Sequence, residues 1–426
     1  MSPGRGFTGL VIVASLACSG RGEMRGAAQR TMLDAPPTRG ISPAITIDSA
    51  GHAHYAWVAL DSSGTGHLFT MGEEAAAREL VDPLGPAQFD GETPPKLQTA
   101  PDGALVMSYA VQVADSTAKY QGVSGLRFVR SSDAGATWSA PVTVADDGDL
   151  QRYRNDHTMT VGRDGAVYVA WLDERAIDTV RVYLARSDDQ GATWSRNVAL
   201  DMEEACGCCR TPVTTGADGT VYAIWRKVLG PMRDHVVSRS RDRGATWSAP
   251  TVVHADSFAI AHCPDAGPSI AVDANNRLHV SWWTGREGAA GVKYARSDDG
   301  GVTFSAPIPL GVAPFAKASH SQLALFGASG VAVVWDDGTL KPARIALRVS
   351  RDGGTTFGPP SYLSDSAATA SFPVLAVRGD RVEVLWQERG AVPGAVAPEG
   401  AAPSGRWIAY DARTPARLVR TVVPLP

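Results

Sequence analysis

The chain has 426 residues, 44% of them hydrophobic and 20% charged, with a formal net charge of −4. That composition supplies enough apolar residues for a large core. It carries no basic excess of the kind that tracks a polyanion, so nucleic acid is excluded as an expected partner.

At the N-terminus, Arg5 precedes an apolar run from Leu10 to Ala17, too short to span a bilayer but of the length of a secretory h-region. The run ends in Ser15-Leu16-Ala17-Cys18, which resembles a bacterial lipobox whose cysteine becomes the lipidated first residue. The resemblance implies a signal peptide over 1–18, lipidation at Cys18 and an exported chain at the cell envelope. Membrane contact is then expected through that anchor alone. Ordinary cleavage after Ala17, giving a periplasmic or secreted protein, is the second reading. Residues 19–42 run in Gly, Arg, Ala, Pro and Ser without an apolar period and read as a flexible tether.

From residue 43 to the end the chain repeats. A short strand, an Asp/Gly-rich turn and an alternating apolar strand closing on an aromatic recur seven times. The closing aromatics are Trp57, Tyr109, Trp171, Trp225, Trp282, Trp335 and Trp386, spaced 51 to 57 apart with one gap of 62. Each unit continues with a third and a fourth strand, and four strands in a unit of about 55 residues make a propeller blade. The fold class is all-β, a β-propeller of seven four-stranded blades over 43–426. In unit one the third strand is read at Gly66–Thr70, and in unit seven at Trp407–Tyr410. Gly390–Gly405, mostly Ala, Pro and Gly, reads as a flexible excursion between the second and third strands of unit seven.

Five units carry nearly the same eight residues, starting at Ser131, Ser187, Ser240, Ser297 and Ser350, 56, 53, 57 and 53 residues apart. Their marker positions are Asp133, Gly135 and Trp138; Asp189, Gly191 and Trp194; Asp242, Gly244 and Trp247. Asp299, Gly301 and Phe304, then Asp352, Gly354 and Phe357, complete the set. The physics is that of a turn. Asp and Ser oxygens accept from nearby backbone N–H groups, Gly supplies a backbone shape other residues resist, and the aromatic plugs the blade. These copies resemble the Asp box, or BNR repeat, of the sialidase superfamily. Sialidase-like catalytic domains are six-bladed, so six blades is the alternative count that the resemblance implies. It also implies that the Asp boxes are structural and that any site lies on the opposite face, in the loops between strands two and three and between blades.

Those loops are rich in reactive residues. Unit three enters through Gln151-Arg152-Tyr153-Arg154-Asn155-Asp156-His157 and later presents Asp173-Glu174-Arg175. Unit four adds Arg226, Lys227, Arg233, Asp234 and His235, unit five Trp283 and Arg286, and unit six Lys317, His320, Asp336 and Asp337. The structural alternative for any one of them is a salt-bridged scaffold role, and Arg175 and Arg226, which follow apolar strands, invite it. Together they mark a polar pocket on units three to five for a glycan or another small anionic ligand.

Four cysteines, Cys206, Cys208, Cys209 and Cys263, fall in the entry loops of neighbouring blades. Two disulfides are the first expectation for an exported chain, with three pairings open. A site for Zn(II) or a soft ion such as Cu(I) is the second, and free redox thiols the third. No cofactor is otherwise implied.

The sialidase resemblance implies a specific catalytic set. It consists of three arginines on the substrate carboxylate, a Tyr nucleophile activated by Glu, and an Asp acid/base. At the position of the family's first arginine stands Arg39-Gly40-Ile41-Ser42-Pro43, which departs from the family's Arg-Ile-Pro. The other two would come from Arg154, Arg175, Arg226, Arg233 or Arg286. Tyr153 or Tyr120 would be the nucleophile, Asp156 the acid, and His157 a further candidate. A sialidase or other glycoside hydrolase is therefore one reading. A binding protein for glycan or protein partners is the other.

Overall fold

The computed structural model describes residues 1, 30–33, 39–89, 91–113, 123–146, 154–176, 179–260, 264–313, 319–390 and 416–425. Among these, 28 strands form seven antiparallel sheets of four strands each, with sequential strand order in six of them. The seven blades are those read from the sequence, and no helix is present among the described residues.

The second strand of each blade lies between two neighbouring sheets and is therefore apolar on both faces rather than alternating. Ala53–Leu60 and Gly330–Asp337 are buried at every position. The closing aromatics Trp57, Tyr109, Trp171, Trp225, Trp282, Trp335 and Trp386 are all at most 2% exposed. Each contributes about 2–3 kcal/mol of burial. Several have their polar edge satisfied: Trp171 Nε1 donates to Asp173 Oδ2 (2.8 Å), and Trp282 Nε1 to Asp256 Oδ2 (2.7 Å).

The Asp boxes form one hydrogen-bond pattern five times. In the first, Ser131 Oγ accepts from Gly135 N–H (2.8 Å) and donates to Asp133 Oδ1 (2.8 Å). Thr137 closes the turn through its N–H (2.8 Å) and hydroxyl (2.6 Å), both donated to the Asp133 carboxylate. These donors, the Thr137 hydroxyl foremost, hold Asp133 at about 2. The box aromatic works between blades. Trp194 of blade three meets Phe128 of blade two edge-on at 5.2 Å, and Phe357 of blade six meets Tyr294 of blade five at 4.8 Å. Gly191 permits that approach: its φ is +92°, and a Cβ there would sit 1.8 Å from the Phe128 ring.

Blade seven departs from the pattern. Its first three strands are Ala368–Arg378, Arg381–Gly390 and Ala416–Pro424, and its outermost strand is Arg30–Met32 from the opposite end of the chain. The third strand is thus Ala416–Pro424 and not Trp407–Tyr410, which lies outside the described residues together with residues 391–405. The stretch read as tether likewise contains a strand, and blade one begins at Arg39, four residues before the expected boundary. Blade one lacks an Asp-box aromatic to staple it onto blade seven, and a partly buried polar seam takes that place. Tyr55 donates to Glu383 Oε1 (2.5 Å), Arg420 bridges Glu383 (3.0 Å), and Arg378 pairs with Glu73 (2.7 Å).

Candidate functional site

On the face opposite the Asp boxes, first-strand entries from all seven blades ring the mouth of the axial channel. Below the mouth the channel is a cavity of about 210 Å³ lined by side chains such as Ala44, Leu97, Met159 and Ile270. The mouth itself is closed by a buried charged network. Glu92 and Arg210, 3% and 4% exposed, form an ion pair at 2.8 Å. Arg210 also donates from Nε to the Pro268 carbonyl (3.2 Å) and from Nη2 to those of Gly267 (3.2 Å) and Ser321 (2.7 Å). Glu92 Oε2 accepts the N–H of Gly267 (2.8 Å) and of Arg210 (3.2 Å). Gly267 is required by closeness: a Cβ there would stand 2.4 Å from Arg210 Cγ and 2.6 Å from Glu92 Oε2.

The ring continues through His320, whose Nδ1 bonds Asp336 Oδ2 (2.7 Å) and whose Nε2 bonds the Asp265 carbonyl (2.9 Å). Both ring nitrogens face acceptors, the arrangement that suits an imidazolium. Burial alone would lower its pKa, yet the Asp336 and Glu92 carboxylates outweigh it and the group is raised. A raised histidine stabilises fully below its unfolded value and loses that contribution as pH rises through the folded one. Stability to urea is therefore expected to fall as pH climbs from about 6.5, the unfolded histidine value, into the alkaline range. Asp336→Asn should flatten that slope; an unchanged slope would sink the assignment.

Backbone strain collects at the same mouth. Ser42, Asp156, Asp265 and Phe372, from blades one, three, five and seven, have φ of 51°, 56°, 45° and 52°. Three of them sit where the first strand shifts register, between Ile41 and Ala44, Asn155 and Thr158, and Ser371 and Val374. Bulges with left-handed residues re-aim a chain and gather at functional rims. They are locked here: Asp156 N–H donates to Thr93 Oγ1 (3.3 Å), and Phe372 N–H to Asp336 Oδ2 (3.2 Å).

The residues singled out from the sequence are placed as follows. Arg175 pairs with Asp173 (2.8 Å) and Asp146 (3.0 Å) and lies over the Tyr183 ring. Arg226, 1% exposed, donates from Nη1 and Nη2 to the carbonyls of Arg233, Ala266 and Trp283 at 2.8–3.1 Å. His157 is 1% exposed, and burial pushes it down to about 3, leaving it neutral and inaccessible to substrate. Asp156 is 2% exposed. Arg233 is half-buried, and among the described residues its guanidinium bonds the carbonyls of its own turn, Gly230 and Met232, while Arg286 is exposed. Tyr153, Tyr120, Cys18, Cys263 and Lys317 lie outside the described residues, and Arg154 is described only through its backbone pairing with Asp173. Among the described residues no three arginines converge, and the Tyr55–Glu383 pair lies at the seam on the Asp-box side. Glu92 stands outside every sequence motif, although Arg210, Asp265 and His320, 55 residues apart, mark one mouth position in each of three successive blades.

The cysteines gather beside Arg226. Cys206 and Cys209 are free thiols and Cys208 is disulfide-bonded, so the described residues do not contain the two bridges expected first. The three sulfur atoms lie within 4.8 Å of one another, close enough for one soft metal ion, but Cys208 offers no thiolate while bridged.

A family model described as a BNR repeat-like domain matches residues 89–261. No curated protein sequence matches the chain. Among solved structures it is similar to a protein of unknown function from Dyadobacter fermentans, at 15% identity and TM-score 0.53 over 93% of this chain and 98% of that one. Polysaccharide lyase Uly1 is similar at 12% identity and TM-score 0.56 over 90% of each chain. A PL25 ulvan lyase bound to -[GlcA(1-4)Rha3S]- is similar at 11% identity and TM-score 0.56, over 84% of this chain and 93% of that one. The chain is a seven-bladed β-propeller of four-stranded blades whose residues 89–261 match the BNR repeat-like domain.

Proposed function

We propose that the protein is an exported glycan-binding propeller that receives an acidic saccharide on the face opposite its Asp boxes. The observation that carries this reading is the state of the arginines. Arg175, Arg210 and Arg226 are committed to internal acceptors, whereas Arg233 and Arg286, at the hairpin ends of blades four and five, have no carboxylate partner among the described residues. Guanidinium groups without an acid are the groups left to meet a carboxylate or sulfate. The locked, strained rim on the same face would give such a ligand a rigid floor. Structural likeness supports a saccharide ligand, because propellers of this shape include an ulvan lyase bound to -[GlcA(1-4)Rha3S]-. Binding is favoured over sialoside hydrolysis because His157, Arg175 and Arg226 have no free reach toward substrate. Export and a lipid anchor at Cys18 belong to this proposal through the N-terminal sequence alone.

A glycan-binding screen beside a fluorogenic sialoside assay tests it. Wild-type protein should retain acidic oligosaccharides over neutral ones and release no fluorophore. Arg233→Ala and Arg286→Ala should each weaken binding about tenfold, in line with the loss of one charge-assisted contact. Sialoside turnover by the wild type, or indifference to saccharide charge, would overturn the reading.

A further inference from the structure

The segment Cys206-Gly207-Cys208-Cys209 contains a Cys-x-x-Cys pair, Cys206 and Cys209, whose two thiols are free and buried around a third sulfur already in a disulfide. Cys208 Sγ lies 3.6 Å from Cys206 Sγ and 3.8 Å from Cys209 Sγ, so both thiols touch the bridged sulfur. We propose that Cys206 and Cys209 form a redox-active dithiol that exchanges with the Cys208 disulfide, making the bridge on this face mobile.

The exchange balances without an external oxidant. The Cys206 thiolate attacks Cys208 Sγ, forming a Cys206–Cys208 bond and releasing the former partner of Cys208 as thiolate. The Cys209 thiolate then attacks Cys206 Sγ, leaving a Cys206–Cys209 disulfide and a Cys208 thiolate. The protons of Cys206 and Cys209 pass to the two sulfurs released. Two thiols and one disulfide give one disulfide and two thiols.

The surroundings divide the two roles. Cys206 is 8% exposed, its N–H is held by the Arg226 carbonyl (2.8 Å), and Cys209 is 1% exposed. A hydrogen bond from Cys209, with the Arg226 and Arg233 guanidinium groups nearby, brings the Cys206 thiol down to about 7. Burial pushes Cys209 up, which suits a resolving thiol that acts only after a mixed bond has formed. Arg226 thus gains a reason to be buried beside the cluster, with no acid among its hydrogen-bond partners.

Disulfide mapping of the full chain tests the proposal. Wild type, Cys206→Ser, Cys206→Ala and Cys209→Ser would be incubated without reductant, quenched in acid, alkylated with N-ethylmaleimide and digested for mass spectrometry. Wild type should yield two populations, one with Cys208 bridged and Cys206 and Cys209 alkylated, the other with Cys206 bridged to Cys209 and Cys208 alkylated. Both Cys206 variants should hold Cys208 in its original bridge. Cys209→Ser should accumulate the Cys206–Cys208 bridge. Unchanged far-UV spectra would establish that the variants fold. A single wild-type population, the same mixture in the Cys206 variants, or three thiols holding stoichiometric zinc or copper would each overturn it.

Discussion

Arg210→Ala is expected to destabilise the propeller by about 3–5 kcal/mol, the usual cost of leaving a buried charge without its partner. Glu92 would remain almost fully buried without its guanidinium, its carboxylate left with the Gly267 N–H, the backbone N–H of residue 210 and, at 4.0 Å, His320 Nε2 nearby. Three backbone carbonyls, of Gly267, Pro268 and Ser321, would also lose their donor in a place water reaches poorly. One guanidinium ties blades two, four, five and six together, so the loss should appear as a lower urea midpoint of the whole domain and not as local fraying. Replacing both partners, Glu92→Met with Arg210→Met, should cost less than Arg210→Ala alone, since it leaves no orphaned charge. A loss below about 1 kcal/mol for Arg210→Ala, the range of an exposed pair, would show that water reaches the mouth.

The parts of this fold that were legible in the sequence are those whose cause is local. An Asp box is built from bonds spanning two to four residues, as from Thr137 to Asp133, so its residues must stand together and repeat together. The closing tryptophans are legible for a related reason, because each blade solves the same burial problem at the same register. The mouth is different. Glu92 and Arg210 are 118 residues apart and meet only because the ring curves. Arg226 and Arg175 look the same in sequence as Arg233, and only the positions of distant carbonyls and carboxylates separate committed arginines from available ones. Asp156 and His157 read as a catalytic pair, yet the bulge that re-aims the strand buries both. The cysteines were legible as a cluster, but their redox state depends on pairing that spacing alone does not set.

The last strand of the ring carries the clearest case of a non-local cause. Arg30–Met32 is three residues long with no apolar period, and it is a strand only because Ala416–Pro424 offers it an open edge. Its register is Arg30 to Thr421, Thr31 to Arg420 and Met32 to Val419, extended by the Leu33 N–H donated to the Leu418 carbonyl (3.2 Å). Leu33 itself is buried at 6% exposure, and Thr31 Oγ1 receives Arg420 Nε at 3.1 Å. A chain starting after residue 33 should therefore lose about 2–4 kcal/mol, from one buried leucine and a few ladder hydrogen bonds. The larger effect concerns association. Removing the strand exposes the edge of Ala416–Pro424, which then presents unpaired N–H and C=O groups to other chains. The Arg420–Glu383–Tyr55 seam would also open toward solvent, loosening the junction that blade one makes without an Asp-box aromatic. The shortened chain should run partly as higher oligomers in size-exclusion chromatography and be cut by protease near 416–424 in native buffer. A chain starting at residue 19 keeps the strand and should remain monodisperse under the same conditions. If both truncations behave alike, the ring is closed by something other than this strand.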